Sequence, residues 1–231
     1  MIRIDIISAV PELLTGPLDH SIVGRARKSK KVDIIVHDLR KYSKDKHQKV
    51  DDYPFGGGAG LVMSPQPIFD CIESLKRERN YDAVIFPTPD AVILDQQTVN
   101  KWSLFEHIII LCGHYKGVDQ RVRDELVTME ISIGDYVLSG GELPAMIIVD
   151  SLVRLQPGVL GDAESALNDS FQDGLLSAPV YTRPENFRGI RVPEVLTSGN
   201  HEKIRLWREK KALDQTSDKR PDLYRNFVNK K

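Results

Sequence analysis

Residues 132–144 read Ser-Ile-Gly-Asp-Tyr-Val-Leu-Ser-Gly-Gly-Glu-Leu-Pro, and this stretch decides how the rest of the chain is read. Gly134, Gly140 and Gly141 bracket a short apolar segment, and a mainly apolar run over residues 143–155 follows at once. Glycine serves where a backbone must turn with positive φ or come close to a ligand. A strand end, a glycine-rich turn and a helix start in succession make a pocket walled mostly by main chain, suited to a small bound molecule. The same turn would also serve simply to end a strand. The spacing is neither G-x-G-x-x-G nor G-x-x-x-x-G-K-[ST], which argues against the dinucleotide and P-loop readings.

Working outward, strand-like and helix-like segments alternate. Strands are expected over residues 2–8, 32–39, 82–86, 107–112 and 127–132, and helices over 21–29, 65–79, 96–104, 118–125 and 142–155. The continuous apolar run at 107–112 suits a central parallel strand, buried on both faces. This alternation predicts an α/β domain with a mostly parallel sheet over residues 1–160. Ligands of such sheets bind beyond the carboxyl ends of the strands. Three loops meet that rule: residues 86–90, 113–119 and 134–141. Residues 40–60 read as a polar loop. Past Gln156-Pro157-Gly158 the pattern dissolves into Pro, Gly, Ser, Asp and Asn, so a linker is expected over 161–175. A small basic helical domain follows over 176–231, with helices at 201–213 and 222–229.

With 41% hydrophobic and 28% charged residues in 231, the composition is that of a soluble globular protein. The first residues, Met1-Ile2-Arg3-Ile4-Asp5-Ile6-Ile7, mix acid and base into an apolar run, unlike a secretory signal. No apolar run is long enough to span a bilayer. Cys71 and Cys112 sit in apolar surroundings without metal-ligand spacing, as buried thiols of a reducing cytoplasm would. Net charge is −1, but it is unevenly spread. Residues 183–231 hold 13 Lys+Arg against 7 Asp+Glu, or +6, and residues 1–182 hold 19 against 26, or −7. A basic tail on an acidic body points to an anionic partner or to a solvated helical surface. Three basic clusters fit the same two readings: Arg25, Arg27, Lys28, Lys30 and Lys31; Lys44, Lys46, His47 and Lys49; and Lys203, Arg205, Arg208, Lys210 and Lys211. Trp207 and Tyr224 read as core residues of a small helical unit, with base stacking as the other possibility. Asp169, in Asn168-Asp169-Ser170, has the setting of a helix cap or Asx-turn. Arg154 follows Asp150 at helix-pair spacing.

Taken in order, several segments resemble one family. They are Gly24-Arg25-Ala26, Val50-Asp51-Asp52, Gly56-Gly57-Gly58 with Gly60, Cys112-Gly113 with Tyr115 and Gly117, residues 132–146, and Pro157-Gly158-Val159-Leu160-Gly161. Asp169-Ser170-Phe171, Tyr181-Thr182-Arg183-Pro184 and Ser198-Gly199-Asn200-His201 complete the series. Together they resemble the bacterial tRNA (guanine-37, N1)-methyltransferases, TrmD, of the knotted SPOUT class. The resemblance implies a deep trefoil knot, a homodimer with each site built from both chains, and methylation of guanosine 37 N1 in tRNA. It implies S-adenosylmethionine held by Phe86, Pro87, Thr88 and Pro89, by Gly113 and Tyr115, and by Ile133, Gly134, Tyr136, Leu138, Gly140, Gly141 and Pro144. It also makes Asp169 the general base at N1 and Arg154 the cation stabilising charge on O6. A solvated carboxylate, titrating near ~4, is a weak base for that proton, so the site must raise its basicity or stabilise the anion.

The chain departs from the pattern in places. Gly113-His114-Tyr115-Lys116-Gly117 stands where Gly-Arg-Tyr-Glu-Gly is usual, Phe86-Pro87-Thr88-Pro89-Asp90-Ala91 where Tyr-Leu-Ser-Pro-Gln-Gly is usual, and Ala59 at a common proline. A carboxylate at 116 would help to recruit magnesium, an expectation that Lys116 weakens. Two other readings stay open: an RNA-binding module without turnover, and a methyltransferase acting on another RNA base.

Overall fold

A computed structural model describes residues 1–161 and 169–229. The chain divides into two units, Met1–Ala163 and Glu164–Lys231. In the first unit the order is β1 (Arg3–Ser8), α1 (Glu12–Asp19), α2 (Ser21–Lys28), β2 (Asp33–Asp38), a 3-10 turn (Leu39–Tyr42), β3 (Asp51–Asp52) and β4 (Val62–Met63). It continues with α3 (Pro65–Glu78), β5 (Ala83–Pro87), α4 (Gln96–Trp102), β6 (His107–Leu111), α5 (Gln120–Leu126), β7 (Met129–Ile131) and α6 (Glu142–Val153).

Five strands form one parallel sheet in the order β2-β1-β6-β5-β7. The α/β class and the parallel sheet are as the alternation predicts, and β6 lies at the centre. Side chains alternate across the strands. Ile4, Ile6, Ile85, Ile108 and Ile110 pack with Leu14 and Leu18 of α1, Val23 and Ala26 of α2, Val99 and Trp102 of α4, and the buried side of α6. Ile7, Val84, Phe86, Ile109 and Leu111 face the other way, onto Ile68, Cys71, Ile72 and Leu75 of α3 and Val122 and Leu126 of α5. Burial on both faces is why the strands read as continuous apolar runs rather than alternating ones. Cys71 and Cys112 are free and buried; burial pushes the Cys71 thiol up to about 12 and raises that of Cys112 well above its ordinary range.

A carboxylate is buried within this apolar frame. Asp5, fully enclosed on β1, accepts hydrogen bonds from Arg3 Nε (2.8 Å) and Tyr81 Oη (2.8 Å) and pairs with His37 Nε2 (2.7 Å). Burial alone would raise its pKa, but the hydrogen bonds from His37, Arg3 and Tyr81 outweigh that and hold the carboxyl down to about 2. A depressed carboxylate stabilises the fold fully above its unfolded value, 3.8, and loses that contribution as pH falls through about 2. The expected outcome is a loss on the order of 2 kcal/mol between about pH 5 and pH 2. Thermal unfolding followed against pH checks it, and a wild-type midpoint that does not move over this window contradicts it.

The second unit contains a two-stranded hairpin, β8 (Asn186–Phe187) with β9 (Ile190–Arg191), and helices α7 (Glu194–Thr197), α8 (His201–Lys219) and α9 (Pro221–Asn229). Helix α8 runs six residues past the expected end at 213, through low-propensity Asp214, Thr216, Ser217 and Asp218. Buried Thr216 explains part of this. Its hydroxyl donates to Ala212 O (2.6 Å) and accepts from Leu176 N (2.9 Å), so its polar side chain is satisfied without leaving the helix. Trp207 is half-buried, its ring 6.4 Å from that of Tyr181. Of the linker expected at 161–175, residues 162–168 lie outside the described residues. Residues 169–177 make local turns: Phe171 N donates to Leu175 O (2.7 Å), and Ser170 Oγ lies 3.0 Å from Ser177 Oγ.

Candidate functional site

The carboxyl ends of β5, β6 and β7 carry the three loops singled out from the sequence, and the structure ties them together. Thr88 N donates to Ile131 O (2.9 Å), while Leu94 N and Ser132 N donate to Ser132 O and Val92 O (2.8 Å each). Gly141 N donates to Gly113 O (2.7 Å), and His114 forms a bridge with Gly140. Within the last loop, Ser132 Oγ donates to Gly134 O (3.0 Å) and Tyr136 N to the same carbonyl (2.9 Å). Gly134 has φ +143°, where a side chain would be strained and would meet the Tyr136 ring.

Between the loops lies a cavity of about 520 Å³. Its wall includes Phe86, Pro87, Thr88 and Pro89 after β5, Gly113 and Tyr115 after β6, and Ile133, Gly134, Tyr136, Leu138, Gly140, Gly141 and Pro144 after β7. All the residues named as cofactor candidates are thus brought to one place. The size suits a nucleoside-scale ligand. Much of the wall is backbone, and no Cβ intrudes at Gly113, Gly140 and Gly141.

Four charged or titratable side chains also line the cavity without having been singled out as cofactor contacts: Asp90, His114, Lys116 and Arg123. Arg123, on α5, grips Glu130 with Nε and Nη2 (2.6 and 2.7 Å), reaches Asp90 (2.9 Å) and lies over the Phe86 ring, 5.6 Å from its centroid. These carboxylates raise its pKa further above an already high value. The Thr88 hydroxyl, then Arg123, hold Asp90 below the usual carboxylate range. Sequence carried no signal for Arg123, because its partners come from two other elements. Behind the wall Glu142 is buried at the start of α6, accepting from Ser8 Oγ (2.7 Å), with its second oxygen 3.9 Å from His114 Nδ1.

Arg154 caps the C-terminus of α6, its backbone N–H donating to Asp150 O (3.1 Å). Asp169 falls in the second unit, where it lines an open cleft of about 1100 Å³ with Asp173, Tyr181, Arg183 and Arg208. Its neighbour Asn168 lies outside the described residues. The basic clusters are partly committed to ion pairs. Arg27 pairs with Asp19 (2.6 Å), Lys44 with Asp70 (2.9 Å), Arg205 with Glu209 (2.5 Å) and Lys211 with Asp214 (3.5 Å). Arg25, Lys28, Lys30, Lys46, Lys49, Lys203 and Lys210 are exposed.

A family model described as tRNA (Guanine-1)-methyltransferase TrmD matches residues 2–226. The chain belongs to the TrmD family, a family of methyltransferases. It is 60% identical over 224 residues to the tRNA (guanine-N(1)-)-methyltransferase of Flavobacterium psychrophilum, covering 97% of this chain and 100% of the relative. The protein of the same name from Cytophaga hutchinsonii is 56% identical over 226 residues, 98% of this chain and 96% of its own. That of Chlorobaculum tepidum is 54% identical over 221 residues, 96% of each.

Membership gives the cavity a ligand class to be tested against. An adenosyl group needs an apolar slot and main-chain donors and acceptors for its ring edge, and the glycine-rich TrmD wall offers both. Magnesium fits less well. Asp90 is the one carboxylate in the lining and is engaged by Thr88 and Arg123. Among the described residues no group of three or more His, Cys, Asp or Glu is placed to hold a metal ion. No helix among the described residues is long and apolar enough to cross a membrane.

Proposed function

We propose that this chain methylates N1 of guanosine 37 in tRNA, with S-adenosylmethionine as donor, acting in the cytoplasm as a homodimer whose sites are each completed by both chains. The observation that carries the reading is the convergence of three strand-end loops on one nucleoside-sized cavity, in a chain matched to the TrmD family over residues 2–226. A deep trefoil knot through these loops is part of the same reading.

Bound in the cavity, S-adenosylmethionine supplies an electrophilic methyl group on a sulfonium. The chain's part is to hold and prepare the nucleobase. Asp169 accepts the N1 proton of guanine, and Arg154 offers its planar guanidinium to the negative charge that this leaves on O6. Phe86, Tyr136, Leu138 and Pro144 keep water from the reacting atoms, and fixed loops align N1 with the donor. The exposed lysines and arginines of both units contact phosphates, giving salt-dependent affinity without sequence choice.

Methyl transfer to tRNA transcripts bearing G or A at position 37 tests the reading. Labelled N1-methylguanosine is expected from the first and none from the second. Equal labelling of both, or labelling of neither at saturating donor, rejects it.

A further inference from the structure

The cavity has a charge imbalance that its packing does not explain. Of its charged lining residues, Asp90 and Arg123 are bound to each other, and Arg123 is further held by Glu130. That leaves the Lys116 ammonium, which has no ion pair among the described residues. Its position is nevertheless built. Lys116 N donates to Leu61 O (3.0 Å), and its stem lies over the bare α-carbon of Gly60, where an added Cβ would stand 2.9 Å from Lys116 Cε. Gly60 itself adopts φ +92°, a conformation that favours glycine. Lys116 is exposed, so with its stem laid over Gly60 the solvated ammonium is available to meet an anionic group of a ligand in the cavity.

We infer that Lys116 is a specificity-determining residue that binds the α-carboxylate of the methyl donor. This rests on the reading of the cavity as the S-adenosylmethionine site. The donor carries two positive groups, a sulfonium and an ammonium, and one negative one. The carboxylate is therefore the one donor group that an ammonium attracts. Pairing it with Lys116 anchors the amino-acid end at the rim, while the backbone-walled interior is left for the adenosyl end. A charge-assisted hydrogen bond of this kind is directional enough to choose between donors with and without the carboxylate.

Calorimetric titration with S-adenosylhomocysteine and with its carboxamide, in which the carboxylate charge alone is removed, tests this without turnover. Lys116→Gln is expected to weaken S-adenosylhomocysteine about tenfold or more and to leave the carboxamide unchanged, with Lys116→Arg close to wild type. Equal weakening of both ligands, or no weakening of either, overturns the assignment. Unchanged ligand affinity with a raised KM for tRNA also overturns it, by assigning the ammonium to phosphate. Wild-type protein that binds neither ligand rejects the cofactor reading itself. Wild type that binds while Lys116→Gln is unaffected rejects the role of Lys116 alone.

Discussion

Asp169→Asn is expected to lower kcat by about 10²–10⁴-fold, the range that a positioned general base contributes. Asparagine has the same shape as aspartate and accepts a hydrogen bond through one oxygen, so the local turn, in which Gln172 N approaches Asp169 O at 3.5 Å, has no reason to change. On the proposed mechanism, what asparagine cannot do is take the proton from N1. The loss should therefore fall on kcat, with the KM for tRNA and the affinity for S-adenosylhomocysteine held within about threefold of wild type, because the groups that bind are untouched. Single-turnover methylation of a G37 transcript, measured beside calorimetry on the same preparation, separates the two quantities. A variant whose single-turnover rate stays within tenfold of wild type would mean that the N1 proton leaves by another route. Parallel losses in rate and tRNA affinity would make Asp169 a binding group instead.

The framework around that chemistry was written plainly in the chain. Strands β1, β5 and β6 carry apolar runs that the two faces of the sheet then bury, the edge strands β2 and β7 are only partly buried, and period and composition located all five within a residue or two. The three loops that wall the cavity followed from that reading, because a parallel sheet opens its ligand crevice at the carboxyl edge. The strand order was not legible. Nothing in residues 107–111 says that β6 will insert between β1 and β5, since any of the apolar strands satisfies the same burial. Helix α1 escaped notice because Gly16 and Pro17 lower its propensity, although Leu14 and Leu18, four apart, bury one face in the core. The hairpins β3–β4 and β8–β9 have strands of two residues, too short for a period. At the site, glycines and prolines announced themselves by type. Arg123, Asp90 and the seat of Lys116 on Gly60 depend on elements far apart in the chain, and only tertiary structure creates them.

Gly141 provides the sharpest test of whether close backbone packing shapes the cavity. Its φ is −82°, which any residue adopts, so strain in the main chain is not the reason for glycine here. The reason is space. A Cβ at this position would stand 2.7 Å from Gly113 N, 2.8 Å from Cys112 Cα and 3.1 Å from Cys112 C. All three are backbone atoms just past β6, the central strand, and unlike the end of a flexible side chain they cannot step aside. Gly141→Ala must therefore push the start of α6 away from the sheet, breaking the 2.7 Å hydrogen bond from Gly141 N to Gly113 O and parting two walls of the cavity. Overpacking a rigid contact costs about 1–3 kcal/mol in stability. The effect on the ligand is expected to be larger, a loss of about a hundredfold or more in affinity for S-adenosylhomocysteine, because misplacement by a fraction of an ångström spoils several contacts at once. Gly16→Ala supplies the contrast. It lies inside α1 with nothing within 4 Å of the added methyl, so it should raise stability by about 0.5–1 kcal/mol and leave affinity unchanged. Thermal unfolding and calorimetry on the two variants give four numbers. If Gly141→Ala binds as wild type does, the approach of α6 to β6 is incidental to the site, and the cavity owes its shape to the side chains of Phe86, Tyr136 and Leu138 instead.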